Sequence, residues 1–361
     1  MAISLVVTVA IFWILFRFVS PQQVYDLLKG ADRSAVLMFV ALSFLMSFCR
    51  AWRYQMLLKL SGYSPHLFVV YLVVLVGNFF SDLLPARLGS LIYVFIITTR
   101  LGVPFGAAMS SFAVAFLFDM LSLAPLLILI AIGVGGGESI SIGLIAGAGL
   151  VVAVVASLLL KYLPHLFDWL SNFVTRVRFL SEQKRQKFAH SFHASAAEIQ
   201  KTLEAGVLTR VFLLSLVIRT IKYGAQYMFL FALLRPMGYE IATLSIPKVF
   251  LGISASETAA GVPFAGVGGF GIYEGTWALV FQLLGLSSDL ATITGIAVHL
   301  CIQFWGYLLG AIALGILLLP ALRTEEAPSF SGQARDHALW FYGKLAACLI
   351  LLGLSFSFFE R

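Results

Sequence analysis

Two breaks, each holding a proline, glycines and one charged side chain, interrupt stretches of this chain that are too apolar to be loops in water. The first reads Leu84-Pro85-Ala86-Arg87-Leu88-Gly89; the second runs from Gly261 through Pro263, Gly266, Gly268, Gly269 and Gly271 to Glu274. A charge near the bilayer centre costs at least ~2.5 to 3.5 kcal/mol on insertion scales, and irregular backbone survives at membrane depth only where protein or a watery cavity surrounds it. The breaks occupy matching places in the two halves of the chain. Paired interruptions of this kind point to a transport site in folds built from repeats.

Composition sets the class. Of 361 residues, 60% are hydrophobic and 11% charged, with a mean hydropathy of +0.97, whereas soluble domains carry roughly 25% charged residues. This is the composition of an integral membrane protein. Thirty-two phenylalanines against 17 acids leave nothing for a large soluble catalytic domain. The net charge of +7 reads as the cytoplasmic bias of Lys and Arg in short loops, with no call for nucleic acid. Cys49, Cys301 and Cys348 lie in or beside apolar segments without CxxC or zinc-like spacing, so neither a disulfide framework nor a metal or cofactor is expected.

Apolar stretches of about 20 residues place full spans at Ile3 to Val19, Ala35 to about Arg50, Pro104 to Val134, Ser139 to Leu160, Val207 to Leu234, Leu290 to Leu319 and Ala338 to Phe358. Between them lie two apolar hairpins, 67–99 bent at Pro85 and 243–286 bent near Pro263 to Gly271, whose arms are short for a crossing. They are read as re-entrant or broken helices. The segment 161–206 carries the densest basic cluster and a predicted amphipathic helix over Ser181 to Gly206, and it faces the cytoplasm under the positive-inside rule. Counting outward from it puts the N-terminus in the cytoplasm and sends the hairpins in from opposite faces.

The expected architecture is an all-α polytopic membrane protein with two inverted-topology repeats. Residues 1–34 give an N-terminal helix and external loop, 35–160 the first repeat, 161–206 the basic loop, and 207–361 the second repeat. Arg50-Ala51-Trp52-Arg53-Tyr54 before the first hairpin echoes Arg219-Thr220-Ile221-Lys222-Tyr223 before the second. Gly266 to Gly271 fits the spacing of a dinucleotide fingerprint, but no strand precedes it and no acid follows about 20 residues later. It reads as a bend, with Pro85, Gly89, Pro263, Gly268, Gly269 and Gly271 as the turning residues. Gly143/Gly147 and Gly306/Gly310 have the spacing that packs membrane helices, and His299 reads as a hydrogen-bonded structural histidine.

The intramembrane polar set is Asp82, Arg87, Asp119, Arg219, Lys222, Glu257 and Glu274. Such residues either pair among themselves to hold helices together or line a hydrated groove that takes a lipid headgroup. In the second case the planar fork of Arg87 suits a phosphate, and Asp119, Arg219, Lys222, Glu257 and Glu274 complete the binding set.

Arg50-Ala51-Trp52-Arg53, the Leu83 to Gly89 bend, Asp119 in the following span and the Gly-Gly-Phe-Gly-Ile-Tyr-Glu run ending at Glu274 together resemble the lysylphosphatidylglycerol synthase transmembrane-region family. By that resemblance Arg87, Asp119 and Glu274 match the family's bend arginine, next-span acid and closing glutamate. The chain departs from the pattern at Ala86, Ser90 and Tyr93, which leaves the cargo open between cationic, anionic and neutral lipids. The resemblance implies a flippase without the synthase domain, in the bacterial plasma membrane, acting on membrane lipids. Four other readings stay open: an accessory protein presenting polyprenyl-phosphate or glycolipid to a separate glycosyltransferase or lipid-modifying enzyme, a headgroup transferase, a solute transporter, and a homo-oligomer of any of these.

Overall fold

The computed structural model describes residues 20–83, 91–134, 142–177, 181–262 and 267–319, and among them every regular element is helical. The expected spans Ile3 to Val19 and Ala338 to Phe358, together with Pro85, Arg87, Gly89 and Pro263, lie outside the described residues. The helices are α1 (Pro21–Lys29), α2 (Arg33–Leu60), α3 (Leu67–Leu83), α4 (Leu91–Leu101), α5 (Phe105–Leu121), α6 (Leu123–Val134) and α7 (Ile142–Thr175). They continue as α8 (Glu182–Glu204), α9 (Leu208–Leu234), α10 (Ile246–Ala260), α11 (Ile272–Leu283) and α12 (Ser288–Leu317).

Among the described residues four stretches are long and apolar enough to cross a membrane: α2, the run Phe105–Gly133 through α5 and α6, α7, and α12. The protein is a multi-pass membrane protein. Leu144, Leu150, Val151 and Leu158 stand exposed along α7, a surface that water would penalise and acyl chains accept. Helix α9 carries Arg219 and Lys222, yet Ile218, Tyr223, Leu230 and Leu233 are almost wholly enclosed, so it forms the interior of the bundle.

Element boundaries differ from the sequence expectation where a charge finds a partner or a proline intervenes. Helix α2 continues past Arg50 to Leu60, because the terminal nitrogens of Arg50 and Arg53 bond side chains of other helices. Helix α7 continues past Leu160 to Thr175 and takes Pro164 inside it. The single span expected over Pro104 to Val134 is two helices meeting at Ser122. Pro125 has no N–H to offer the carbonyl of Leu121, and the ladder breaks there.

The start of α2 is fixed by Asp32, whose carboxylate accepts the Ala35 N–H at 2.9 Å and the Ser34 hydroxyl at 2.5 Å. Those bonds hold the Asp32 carboxyl below its ordinary pKa. The same residue donates its N–H to the Ala232 carbonyl at 2.8 Å and meets Arg235 at 2.9 Å, which pins the α1–α2 corner to the end of α9.

At the centre α2 packs along α9. Helix α3 packs on α4 and, more extensively, on α12; α10 packs on α11 and on α6. Each arm pair is a hairpin whose first arm leans on the later half of the other part of the chain. Close approach of α3 and α12 requires Gly310, where an added Cβ would fall 2.3 Å from the Phe79 Cβ. Gly147, in contrast, has open space around it. Gly310→Leu is therefore expected to overpack this contact by about 1–3 kcal/mol and lower the melting temperature of the detergent-solubilised protein. Gly147→Leu is expected to leave it unchanged, and equal effects of the two would contradict this packing.

Candidate functional site

The polar residues of the spans gather into two connected groups. In the first, Arg53 on α2 is fully buried and grips Asp119 on α5 with both terminal nitrogens, Nη1 to Oδ1 at 2.6 Å and Nη2 to Oδ2 at 2.9 Å. Nη1 also donates to Ser215 Oγ on α9 at 2.6 Å. Arg219, one turn along α9, donates to Ser122 Oγ at 2.9 Å, to the Tyr223 hydroxyl at 3.1 Å and to the backbone carbonyl of Asp119. That carbonyl belongs to the last turn of α5, where helix carbonyls lack an internal donor. Arg219 and the Ser122 hydroxyl, which reaches the same oxygen at 2.8 Å, supply it.

The second group surrounds a partly open cavity of about 230 Å³ lined by α2, α3, α9, α10, α11 and α12 together with the glycine turn at 268–269. Lys222 Nζ lies 2.6 Å from Glu257 Oε1, and the Gln226 amide donates to the same oxygen at 2.6 Å. Across the cavity Arg50 Nη1 donates to Asn78 Oδ1 at 2.7 Å. Arg50, Asn78 and Ser81 also line a second cavity of about 120 Å³ that reaches Tyr54, Tyr93 and Asp119. The Arg50–Asn78 bond thus stands between the two spaces.

The glycine bend closes the third side. Gly268, Gly269 and Gly271 take φ values of 64°, 79° and 96°, a region closed to most L side chains, and α11 starts immediately after. Glu274, three residues into α11 and fully buried, accepts the Gly271 N–H at 2.6 Å on one oxygen and meets His299 Nδ1 at 2.6 Å on the other. His299 Nε2 sits 3.1 Å from the Gln303 amide nitrogen, which donates also to the Gly268 carbonyl at 2.8 Å. A nitrogen already committed to donating cannot face a second donor, so this arrangement fits the neutral His299 with its proton on Nδ1. The Phe270 and Tyr273 rings flank His299, with centroids at 4.4 and 4.2 Å.

Of the predicted set, Lys222 and Glu257 line the larger cavity as a pair, whereas Asp119 and Arg219 belong to the Arg53 cluster, with Asp119 bordering the smaller cavity. Glu274 reaches the larger cavity only through His299. Arg87 and the Asp82 side chain lie outside what the structure describes. Sequence reasoning missed Arg50, Asn78, Gln226 and Gln303 as site residues. The available signal was amide spacing: Gln226 follows Lys222 by one helical turn, Gln303 follows His299 by one turn, and Asn78 is the one amide of α3.

A helical multi-pass membrane protein with paired charges around internal cavities is the class this fold and site define. The chain belongs to the lysylphosphatidylglycerol synthase TM region family, whose sequence profile matches residues 1–311. It is also similar to Glycosyltransferase AglD of Haloferax volcanii, 22% identical over 364 residues that cover 93% of this chain and 57% of that protein. The chain spans a little over half the length of that relative. No solved structure matches it.

Removing one partner of a buried ion pair strands the other. Arg53→Met or Asp119→Leu alone is expected to cost about 3 kcal/mol, the low end for a buried pair because the Asp119 side chain keeps 32% exposure. The double variant is expected to recover most of that loss in a thermal-melt cycle. Additive losses would show that the pair contributes nothing as a pair.

Proposed function

We propose that the protein is a lipid flippase that carries the headgroup of a phospholipid or lipid-linked sugar between leaflets of the plasma membrane through the cavity between α2, α3, α9, α10 and α12. The observation that carries this reading is a polar cavity, lined by Arg50, Lys222, Glu257, Asn78 and Gln226, inside a bundle whose outside is apolar. A protein that only needed stable helices gains little from unfilled polar space at membrane depth, since polar groups there are expensive to keep.

Repetition supports the same reading. Helix α2, the α3–α4 hairpin and the α5–α6 span stand in the same order as α9, the α10–α11 hairpin and α12. The packing of α3 on α12 is answered by that of α10 on α6, and α2 and α9 pack on each other. We read these halves as inverted repeats, with 35–160 and 207–361 as the units and the basic segment 161–206 between them on the cytoplasmic side. Two such halves can exchange conformations about a central site, opening it to one face and then the other. In the present arrangement the Arg50–Asn78 bond is the partition such an exchange would move.

Arg50 and Lys222 supply the positive charge for a phosphate, and we assign Arg87 to the same binding set. Acyl chains stay among apolar side chains while the headgroup crosses. A second reading rests on the named relative: as AglD is a glycosyltransferase longer than this chain, this chain can serve as the lipid-presenting partner of a separate glycosyltransferase.

Purified protein reconstituted into vesicles with acyl-labelled lipids separates the two readings. Translocation faster than in protein-free vesicles is expected from the protein alone, and Arg50→Ala is expected to slow it by about tenfold while leaving insertion intact, the value of one lost charged contact. No acceleration for any lipid class would refute the flippase reading, and stimulation of a glycosyltransferase by such an inactive preparation would favour the second.

A further inference from the structure

The lipid-facing surface of α7 runs on for longer than a bilayer core can cover. Large apolar side chains stand exposed on α2 from Leu37 to Trp52, and along and just past α12 from Leu300 to Leu319, about 22 and 28 Å of chain at ~1.5 Å per residue. On α7 they continue from Ile142 to Phe173, about 46 Å against a hydrocarbon layer of ~30 Å. A straight helix would need a tilt of about 50° to hide that length, steeper than the ~0–40° that membrane helices adopt. The excess follows Lys161, where Tyr162, Leu166, Trp169 and Phe173 are all exposed. Their spacing of three and four residues puts them in one stripe, which runs back through Leu158, Val155 and Val151 to the acyl-facing surface.

Helix α8 backs this stripe without covering it. The apolar face of α8 is taken up by the protein: Ala189, Ala196 and Ile199 are buried, and Ala194 lies against Gly106 of α5. On the α7 side, the Phe167 ring meets that of Phe192 at 6.1 Å, Asp168 meets His193 at 2.9 Å, and the Ser171 hydroxyl donates to the Ala189 carbonyl at 2.8 Å. Those three residues of α7 lie roughly 120–180° round the helix from the stripe at ~100° per residue. Pro164 is buried on that far side as well. A proline crowds the carbonyl four residues back and bends a helix away from its own side, so a bend at Pro164 leans the end of α7 stripe-first toward the membrane.

Charge frames the stripe. Lys161 stands at its start, with Nζ 5.3 Å from the centre of the Tyr162 ring; Arg176 follows its end, and exposed Lys184 and Lys187 lie on the first turns of α8. The nearby acids are engaged elsewhere, Asp168 with His193 and Glu182 with Arg185. Among the described residues these four cations have no carboxylate partner. Tyr and Trp beside Lys and Arg make up the surfaces that sit at the headgroup layer, and a basic excess there attracts anionic lipid.

We propose that residues 162–173 of α7 lie in the headgroup layer of the leaflet on their side of the membrane and bind its anionic lipids. Tyr162, Leu166, Trp169 and Phe173 rest on the upper acyl chains, and Lys161, Arg176, Lys184 and Lys187 meet the phosphates. Continuity of the stripe with the acyl-facing surface, and a cation at each end, favour lipid over a protein partner.

Tryptophan fluorescence of the full chain in vesicles tests this, the difference between wild type and Trp169→Phe giving the share of Trp169. Trp169 is exposed, so the substitution leaves the packed interior as it is. In phosphatidylcholine mixed with phosphatidylglycerol, lipids brominated just below the ester groups are expected to quench that share at least about threefold more than lipids brominated near the chain ends, the depth at which interfacial helices lie. Acrylamide in the water is expected to quench it less in these vesicles than in phosphatidylcholine alone. Changing Lys161, Arg176, Lys184 and Lys187 together to Gln is expected to remove that difference. Strong acrylamide quenching in both vesicles with none by brominated lipid would put the stripe in water and overturn the proposal. Shielding from acrylamide and brominated lipid alike would overturn it in favour of a protein partner or a second copy. Shallow quenching unaffected by phosphatidylglycerol and by the four substitutions would overturn the assignment to anionic lipid.

Discussion

A guanidinium taken out of water with no anion beside it costs several kcal/mol, and the placement of three helices follows from how this chain avoids that cost at Arg53. The residue is fully buried, so α5 must bring Asp119 within reach and α9 must bring Ser215. Asp119 in turn sits in the last turn of α5, and its backbone carbonyl, one of those a helix end leaves without an internal donor, draws Arg219 from α9. Each contact satisfies a need created by another. Once these helices are fixed, α3 and α10 close over them, and the space left between is the cavity.

The two groups of polar residues differ in how completely they are satisfied. Around Arg53 and Asp119 the terminal nitrogens and carboxylate oxygens are paired, which is the behaviour of residues that hold helices together. Beside the cavity, Gln226 and Gln303 each commit the amide nitrogen to a bond, while their side-chain oxygens have no hydrogen-bond partner among the described residues. A half-satisfied buried network is a liability in a purely structural protein. Glu274 shows how the two modes are joined: one oxygen starts α11 at the glycine turn, and the other orients His299 at the cavity wall.

Much of the helical layout was legible in the sequence, because long apolar runs admit little else in a bilayer. The helix over 33–60 contains the expected span Ala35 to about Arg50, and those over 142–175 and 288–317 overlap the expected spans Ser139 to Leu160 and Leu290 to Leu319; the first two run on by about 10 and 15 residues because Arg50 and Pro164 are tolerated inside. Such ends depend on whether a charge finds a partner, which is a tertiary fact. The candidate site was legible by residue type but not by pairing. Arg53 stood out as part of an echo between the halves and of the run that carries the resemblance, but not as a partner of Asp119, which lies 66 residues away. Gln226 and Gln303 are uncharged and gave no alarm in a search for buried charge; their one-turn spacing from Lys222 and His299 becomes meaningful once both helices face the same cavity.

The central claim is that a lipid headgroup occupies the space between Arg50 and the Lys222–Glu257 pair. Photolabelling tests it most directly, using phospholipids with a diazirine on the headgroup in vesicles holding the intact protein, and locating adducts by mass spectrometry. The account requires adducts on cavity residues such as Ser47, Gln226 and Trp305. Adducts confined to bilayer-facing positions such as Leu144 and Leu150 would contradict it.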